Sequence, residues 1–409
     1  MAFTRETVEQ VSAQRSEPSW LREARLQAWE AFERIPMPDS QRDEDWRRTD
    51  ISQLDLAAFA RTRNGANAPE LSGPETLPKG VVFNSLERAV RDCPDLVREH
   101  LEPAAGKFMA LNAALWSGGA FVYVPPDVTV ELPLQATYGA ESAATSSAAP
   151  ALFPRTLIVV DRGGSLTFVD HFGADSAAVA STLSSAHTHI VVRDGARLQY
   201  VSLQERDERT WHFSTERAVI GRDARVDVVI AALGGGLSKS YVETVLAGPG
   251  TEANIVGLVL TDGRQHVDHQ TLQEHRAPHT TSNLLLKSAV KGHSQSIFAG
   301  LVRMPKEAQQ SDAFQEARAL LLSEHAKADA IPKLEIIAND VRCTHAGAIG
   351  QVDEEQKFYL MSRGIPEREA ERLIVTGFFE PALERIPVEA IRESTRRALA
   401  ARLGTIHHG

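Results

Sequence analysis

Apolar and polar residues alternate in short segments that recur along the middle of the chain, each following a turn rich in glycine or aspartate. The first apolar residues of four such segments are Leu166, Leu198, Val226 and Ala253, at steps of 32, 28 and 27 residues. Alternation with a period of two is typical of β-strands with one buried face. The near-equal steps predict a solenoid, most naturally a parallel β-helix. The spacing alone fits a β-sandwich equally well.

The N-terminal part of the chain has a helical pattern instead. Apolar residues recur there at steps of three and four and stop at Pro36 and Pro38, which predicts an amphipathic helix that ends at these prolines. The apolar positions are Leu21, Ala24, Ala28, Ala31, Phe32 and Ile35. Residues 63–79 are rich in Pro, Gly and Asn and predict a surface linker, and residues 139–150 predict a low-complexity insertion between strands.

The pattern becomes helical again after Gly350. Acidic residues from Asp353 onward fill the first turn of a helix that Gly364 ends, and Pro381 and Pro387 bracket a later break. The three predicted helices cover residues 352–363, 366–380 and 388–403. The sequence therefore predicts a mainly β protein with helical ends. Its three parts are an N-terminal helical region with a linker (1–100), a β-helix core (101–350) and a C-terminal helical bundle (351–409).

Composition excludes several classes of function. The formal charge of −10, from 54 acidic and 44 basic residues, argues against a nucleic-acid binder, which would carry a basic face. No apolar run is long enough to cross a membrane, and the first residues lack the apolar core of a signal peptide. Two cysteines, Cys93 and Cys343, argue against a disulfide scaffold and fit a reducing compartment, so we expect a cytoplasmic protein.

Cys343 and His345 form the candidate metal site. They are two positions apart, so on a strand both side chains point to one face and can contact the same soft or borderline metal ion. Two ligands are half a site, and an iron–sulfur cluster ordinarily needs four, so a partner would have to supply the others. The alternative is a buried thiol beside a hydrogen-bonded core histidine, with no metal.

A second group of histidines comprises His266, His269, His275 and His279. On a strand, positions 266 and 269 fall on opposite faces, so this group is not expected to converge on a metal unless a turn intervenes. The glycine-rich segments 234–236 and 248–250 lack the Gly-Lys-Ser/Thr ending of a phosphate-binding loop. ATP binding by this chain is therefore not expected, and the sequence also has no Gly-x-Ser-x-Gly nucleophile turn.

The run from Cys343 to Gly364, CTHAGAIGQVDEEQKFYLMSRG, closely resembles a signature of the SufB/SufD family of iron–sulfur cluster assembly proteins. The resemblance extends weakly over the first hundred residues and strongly after about residue 260. Its other matching segments are residues 28–32, 44–50, 266–268, 275–279, 320–323 and 332–336. It implies a right-handed parallel β-helix rather than a sandwich.

The resemblance is to the SufD branch of the family. SufB chains carry an acidic residue beside the corresponding histidine, where this chain has Ala346. The branch implies a scaffold without turnover of its own, in which His345 helps to build a transient iron–sulfur cluster shared with SufB. Cys343 is then a ligand, a sulfur acceptor or a spectator.

The resemblance also implies two partners. SufB would pair along the last turns of the β-helix, and the ATPase SufC would dock on residues 350–409 and drive the assembly. A homodimer of the isolated chain is compatible with the family's interface geometry.

Two other functions remain open from the residues alone. One is a β-helix enzyme that acts on polysaccharides, which would place paired carboxylates on successive turns. The acidic residues Asp170, Asp227 and Asp268 do not recur at one position of the repeat. The other is a self-sufficient metalloenzyme that uses the histidine group, and it would hold stoichiometric metal in isolation.

Overall fold

The computed structural model describes residues 3–61, 68–101, 105–139, 149–173 and 181–406. The α-helices in these ranges are α1 (Arg5–Gln14), α2 (Ser19–Arg34), α3 (Leu86–Asp92), α4 (Pro94–Glu99), α5 (Lys107–Leu115), α6 (Glu354–Ser362), α7 (Glu367–Leu383) and α8 (Glu389–Ile406). Short 3₁₀ turns lie at Glu44–Trp46 and Leu56–Ala58. None of the described helices combines the length and the hydropathy needed to cross a membrane.

The strands form two sheets over the same described ranges. They are β1 (Phe59–Arg61), β2 (Glu70–Ser72), β3 (Val82–Ser85), β4 (Gly119–Val124), β5 (Leu134–Tyr138), β6 (Ala149–Leu152), β7 (Arg155–Val160), β8 (Ser165–Phe172), β9 (Thr182–Val192), β10 (Arg197–Gln204), β11 (Thr210–Ile220), β12 (Arg225–Ala232), β13 (Leu237–Leu246), β14 (Glu252–Thr261), β15 (His266–His275), β16 (Thr281–Val290), β17 (Gln295–Met304), β18 (Ser311–Leu321), β19 (Lys327–Ile336) and β20 (Val341–Gln351).

From β7 onward, consecutive strands alternate between the two sheets. Sheet A runs in the order β3-β4-β7-β9-β11-β13-β15-β17-β19, and sheet B in the order β2-β5-β8-β10-β12-β14-β16-β18-β20. Apart from the pairings of β2 and β3 at the N-terminal end, these neighbours are parallel. This arrangement is a β-helix of about seven turns, which confirms the predicted fold class and excludes the β-sandwich.

The periodic apolar positions are stacked as the sequence predicts. Leu198 is in register with Leu166 on one side and with Val226 on the other, and Val226 is in register with Ala253. Each step of 32, 28 or 27 residues is therefore one turn of the β-helix. The stacked residues are almost fully buried and face the interior, where every turn covers the apolar residues of the one before.

Turns between the sheets need residues that accept a left-handed backbone. Gly250 has φ of +74°, and a Cβ there would lie 2.1 Å from Oδ1 of Asp223 on the preceding turn. Glycine is therefore required both by its backbone angle and by the close approach of the neighbouring turn.

The N-terminal helices cover the outer face of sheet A. The predicted amphipathic helix is present as α2, which buries Leu21, Ala28 and Trp29. Within the same layer, the rings of Phe108 and Phe213 stack with centroids 3.7 Å apart and join α5 to β11. The helical pattern therefore predicts the contact face of α2, which packs mainly on α5, and α5 in turn lies on β9 and β11 of sheet A.

The C-terminal helices α7 and α8 cover the outer face of sheet B. Val375 and Phe379 pack in one cluster with Val229, Val256 and Leu285, which occupy a single outward column of the sheet. All three predicted C-terminal helices are present. The helices therefore lie along the side of the β-helix.

Two details differ from the sequence predictions. Pro381 lies inside α7 rather than in the break, because its missing N–H falls close to the helix end, where only one intrahelical bond is lost. Residues 70–72 of the predicted linker form β2, which pairs with β5. Residues 63–67 of that linker and 140–148 of the predicted insertion lie outside the described residues. The domain boundaries after residues 100 and 350 stay predictions.

A buried ion pair fixes the N-terminal segment to sheet A. Lys239 on β13 is fully buried and forms an ion pair with Asp268 on β15, the neighbouring strand. Lys239 Nζ also donates to the carbonyl of Asp45 at 2.7 Å, and the Thr49 hydroxyl donates to Asp268. Thr49 is itself completely buried. These four residues, here called the clamp, join the segment after α2 to the middle of the β-helix.

The interior of the β-helix also contains ionisable side chains. Asp170 accepts hydrogen bonds from Thr156, Thr188 and Tyr200 at 2.9–3.0 Å, yet burial raises the pKa of its carboxyl to about 6. Burial likewise raises the pKa of Glu216 from its ordinary 4.5 to about 8. Both groups therefore take up protons more readily in the folded chain than in the unfolded one.

Removal of one member of the clamp is expected to be costly. Lys239→Met leaves the Asp268 carboxylate buried without its cation, which typically lowers the free energy of unfolding by about 3–5 kcal/mol. The matched control is Lys333→Met, because Lys333 pairs with Glu44 in the same segment, but on the exposed surface. Such exposed pairs contribute at most about 1 kcal/mol. Urea unfolding compares the two variants, and equal losses would contradict the role of burial.

The contribution of Glu216 to stability is expected to fall as pH rises from about 5 to 8, because folded Glu216 keeps a proton that the unfolded chain has lost. Each pH unit in this window costs on the order of 1 kcal/mol. Glu216→Gln removes this contribution, so the unfolding free energy of the wild type relative to that of Glu216→Gln is expected to fall by this amount with each pH unit. The exposed Glu252→Gln serves as control. Parallel pH curves for wild type and Glu216→Gln, measured by urea unfolding, would refute this.

Candidate functional site

The C-terminal end of the β-helix is open. Within the described residues, β19 and β20 are the last strands of their sheets, and each pairs on one edge only. The N–H and C=O groups of the other edge are left without strand partners, and such edges readily pair with another chain. This end therefore has the backbone properties of an interaction surface.

Cys343 and His345 lie on β20, the last strand. Their register partners on β18 are Ala313 and Gln315, both buried inward-facing residues. Cys343 and His345 therefore continue two interior columns and point to the same face, as their spacing predicts. No strand covers this face beyond β20 in the described residues, so His345 is exposed and Cys343 is half-buried. The structure thus brings both side chains to the open end.

The Cys343 thiol contacts a small apolar cluster that includes Met304 and Ala313. This burial, together with the nearby Asp312 carboxylate, raises the pKa of the thiol to about 11. Cys343 is therefore protonated at neutral pH. Metal ligation or sulfur transfer requires the thiolate, so either role needs a cation or a base close by to remove the proton.

The site supplies two potential ligands and no third. Over the described ranges, no three His, Cys, Asp or Glu side chains are grouped so that they could hold a metal ion. Cys343 and His345 consequently offer one sulfur and one nitrogen donor on an accessible edge. Such an arrangement can contribute part of a cluster-binding site whose remaining ligands come from a second chain.

The four histidines of the second group do not converge on a common metal site. His266 points outward from β15, and its Nε2 atom lies 2.9 Å from the hydroxyl of Thr49, a residue of the clamp. His269 points into the β-helix, where burial lowers its pKa to about 4 and leaves it neutral. The two residues thus lie on opposite faces of the strand, as expected from their spacing.

His275 and His279 have structural positions. The His275 ring nitrogens lie 2.7 Å from the Thr280 hydroxyl and 2.8 Å from the Ser282 hydroxyl, which ties β15 to the start of β16. His279 lies in the intervening turn with φ of +58°. Both residues therefore belong to the path between two turns of the β-helix, and Ala313 separates Ser282, the partner of His275, from Cys343 in the same interior column.

Sequence reasoning missed Gln315, which lies directly beneath His345 in the same interior column. The signal was available, because 315 and 345 are 30 residues apart and the repeat has steps close to that value. It also missed Lys239 of the clamp, for which the repeat gives no indication.

Apolar side chains are exposed on the last turns of the β-helix. They are Leu334, Ile336, Ile337 and Ile349, with exposed fractions of 37, 40, 61 and 46%. All four lie on or beside β19 and β20, close to the unpaired strand edges. The combination of apolar side chains and free edges favours contact with another protein.

A second exposed apolar surface lies on α6, which has no buried residue. Phe358 is 72% exposed and Tyr359 56%, and Met361 and Leu373 extend this surface, each 40% exposed. Helix α6 packs mainly on α7. Exposed aromatic side chains in such a group are typical of protein interfaces.

The three acidic residues considered for a polysaccharide-active enzyme are dispersed. Asp170 faces the interior from β8 and Asp227 faces outward from β12, in different columns of sheet B. Asp268 is buried in the clamp on sheet A. These positions form no carboxylate pair across an open groove.

Comparison with known proteins adds family information to this geometry. Residues 143–378 match the family described as "SUF system FeS cluster assembly, SufBD core domain", and residues 54–136 match "SufBD protein N-terminal region". The iron–sulfur cluster assembly protein SufB of Bacillus subtilis (strain 168) is 31% identical over 432 aligned positions, which cover 96% of this chain and 92% of that protein.

A SufBD family protein of Staphylococcus epidermidis (strain ATCC 12228) is 30% identical over 439 positions, with the same coverage of 96% and 92%. A SufBD family protein of Staphylococcus haemolyticus is 30% identical over 432 positions. Similarity thus extends over nearly the whole chain, and the core match includes the β-helix and residues 343–364. The chain therefore belongs to the SufB/SufD family of iron–sulfur cluster assembly proteins.

Proposed function

We propose that this chain is a SufD-type scaffold subunit on which an iron–sulfur cluster is built together with a SufB partner. The observation that carries the proposal is the position of Cys343 and His345, two donor side chains on the last, uncovered turn of a family β-helix. An exposed half-site at an edge that can pair with another chain is suited to building a transient cluster and releasing it. The cluster is the cargo of this protein, and the chain has no turnover of its own.

Residues 343–350 support the SufD branch over SufB. The small Ala346 follows His345 where SufB chains carry an acidic side chain, so this half-site offers sulfur and nitrogen donors without a carboxylate. Donors of that kind suit iron in a sulfide environment. The partner would contribute the acidic group, which makes the two halves complementary.

The open end would receive SufB. Unpaired edges of β19 and β20 allow the sheets to continue into a second β-helix, and the exposed Ile337 and Ile349 supply apolar contact area. The same edges would allow two copies of this chain to pair when no SufB is present. In both cases His345 lies at the junction.

Helix α6 would receive SufC, the ATPase of the system. Phe358 and Tyr359 are the most exposed of the large apolar side chains there and would act as its anchors. Helix α6 follows β20 after only Val352 and Asp353, so movement of a protein bound to α6 would be transmitted directly to the last strand. ATP hydrolysis by SufC would in this way open the SufB junction to iron and sulfur in the cytoplasm.

His345→Ala is expected to abolish cluster formation while both partners still bind. Loss of a hydrogen bond that supports a metal ligand typically weakens metal binding about 10–100-fold. Loss of the ligand itself is expected to weaken it at least as much. The measurement is co-purification of the tagged chain from its native host, followed by cluster reconstitution monitored by visible absorbance. Thr344→Ala is the matched control, because Thr344 is exposed on the opposite face of the same strand. Equal cluster yields from both variants would remove His345 from the site.

Phe358→Glu is expected to weaken binding of the ATPase at least about tenfold and to leave SufB binding intact, since an aromatic anchor typically contributes about 2 kcal/mol or more. Leu132→Glu is the control, because Leu132 is a 58% exposed apolar residue far from α6 in the sequence. A chain that ends near residue 350 should lose the ATPase completely. If the wild type is recovered alone and metal-free, the assembly function itself is wrong.

A further inference from the structure

Two histidines stack on the surface near the C-terminal end of the β-helix. His293 lies at the corner before β17 and His325 at the corner before β19, where the chain passes from sheet B to sheet A. Their ring centroids are 4.6 Å apart, and the ring planes are 14° from parallel. Both side chains are exposed. The fold therefore places two imidazole rings side by side in contact with solvent.

The backbones of these two corners are joined by hydrogen bonds. The amide of Gly292 donates to the Ser323 hydroxyl at 3.0 Å, and the amide of Lys327 donates to the carbonyl of Ser294 at 3.1 Å. These bonds hold the two corners one strand spacing apart, which is about 4.8 Å in a β-sheet. The two rings are therefore kept as neighbours by the fold itself, before any ion binds.

The ring nitrogens of the pair are not engaged by the protein. Among the described residues, neither His293 nor His325 has a hydrogen-bond or ion-pair partner for its side chain. Imidazole is the commonest metal ligand among side chains, and it suits zinc, copper, iron and nickel ions. Both rings are therefore available to a metal ion from solvent.

Neighbouring imidazoles can bind one ion between them. Bonds of about 2.0–2.1 Å from zinc to nitrogen require two donor nitrogens about 3 Å apart. Exposed side chains can rotate by the small amount that separates this distance from the present ring spacing of 4.6 Å. Once one ring has bound the ion, the second binds it intramolecularly, which can raise the affinity about 100-fold or more over that of a single histidine.

The charges around the pair are compatible with a cation. Lys291, on the same corner as His293, forms an ion pair with Glu371 of α7 at 3.0 Å, so its charge is neutralised. Glu324 is exposed beside His325 and adds a negative charge to the site. The preceding corner carries the exposed Arg264 in place of a histidine, which limits the protein ligands to two. Water would occupy the remaining positions around the ion.

We propose that His293 and His325 form a binding site for one divalent transition-metal ion. The site is separate from Cys343 and His345. His345 lies six residues before the end of β20, which corresponds to about 20 Å of strand, and the His325 corner lies beyond the equivalent end of β18. The ion would connect the corner before β17 to the corner before β19. This binding does not depend on the proposed scaffold function.

The test is a calorimetric titration of the untagged full-length chain with Zn²⁺. Every protein in the series carries Cys343→Ser and His345→Ala, which remove the donors at the open end. Each also carries His407→Gln and His408→Gln, because adjacent histidines near the C-terminus could bind the ion themselves. This background chain is expected to bind one equivalent of Zn²⁺.

His293→Gln and His325→Gln each remove one ligand and keep a polar side chain. The matched control is His279→Asn, because His279 is a single exposed histidine at another corner, and asparagine accepts its left-handed backbone with φ of +58°. Each glutamine variant should bind Zn²⁺ at least about tenfold more weakly than the background chain, and the control should bind it equally well. All three positions are exposed, so the thermal unfolding midpoints without metal should agree.

The second readout is the ring ¹⁵N spectrum during the same titration. The signals of His293 and His325, assigned by their loss in the two glutamine variants, should shift together and reach their end points at one equivalent. Unchanged Zn²⁺ affinity in either glutamine variant would reduce the stacking to a packing contact and overturn the site. Equal weakening in His279→Asn, or a background chain that binds no Zn²⁺, would also overturn it.

Discussion

Parallel pairing between successive turns is the constraint on which the rest of this structure depends. Each strand from β7 onward binds only the equivalent strands of the turn before and the turn after, so a β-helix has two ends with unpaired edges. At the N-terminal end, β2 and β3 pair antiparallel with β5 and β4 and complete the sheets. At the C-terminal end the described residues supply no such strand, and the interior columns reach the surface.

This asymmetry separates two surfaces of the protein. The end of the β-helix presents Cys343 and His345 together with unpaired strands, whereas the C-terminal helices return along the side and cover sheet B with α7 and α8. Helix α6 joins the two regions and remains exposed. In the proposed scaffold the two partners would therefore bind at separate surfaces, and α6 would couple one surface to the other.

Local regularities made much of the fold predictable. The steps between Leu166 and Ala253 and the periodicity of α2 each depend on neighbouring turns or on one helix face, so the sequence reports them directly. The clamp could not be predicted, since Thr49 and Asp268 meet through the fold alone. Both residues lie in segments that resemble the family, and their hydrogen bond joins these two distant segments. The position of Gln315 beneath His345 could have been predicted, because the two residues are one repeat step apart.

The clamp also sets an order of events during synthesis. Thr49 and Asp268 are 219 residues apart, and chains are made at about 5–20 residues per second, so the segment after α2 waits on the order of ten to forty seconds for its binding partner. During that interval α2 can already pack on α5, and Trp46 can already contact Phe108 and, once β11 is made, Phe213. The side-chain bonds of Thr49 and Lys239 to Asp268 are therefore late contacts of this segment, and they fix it only after β15 has been made.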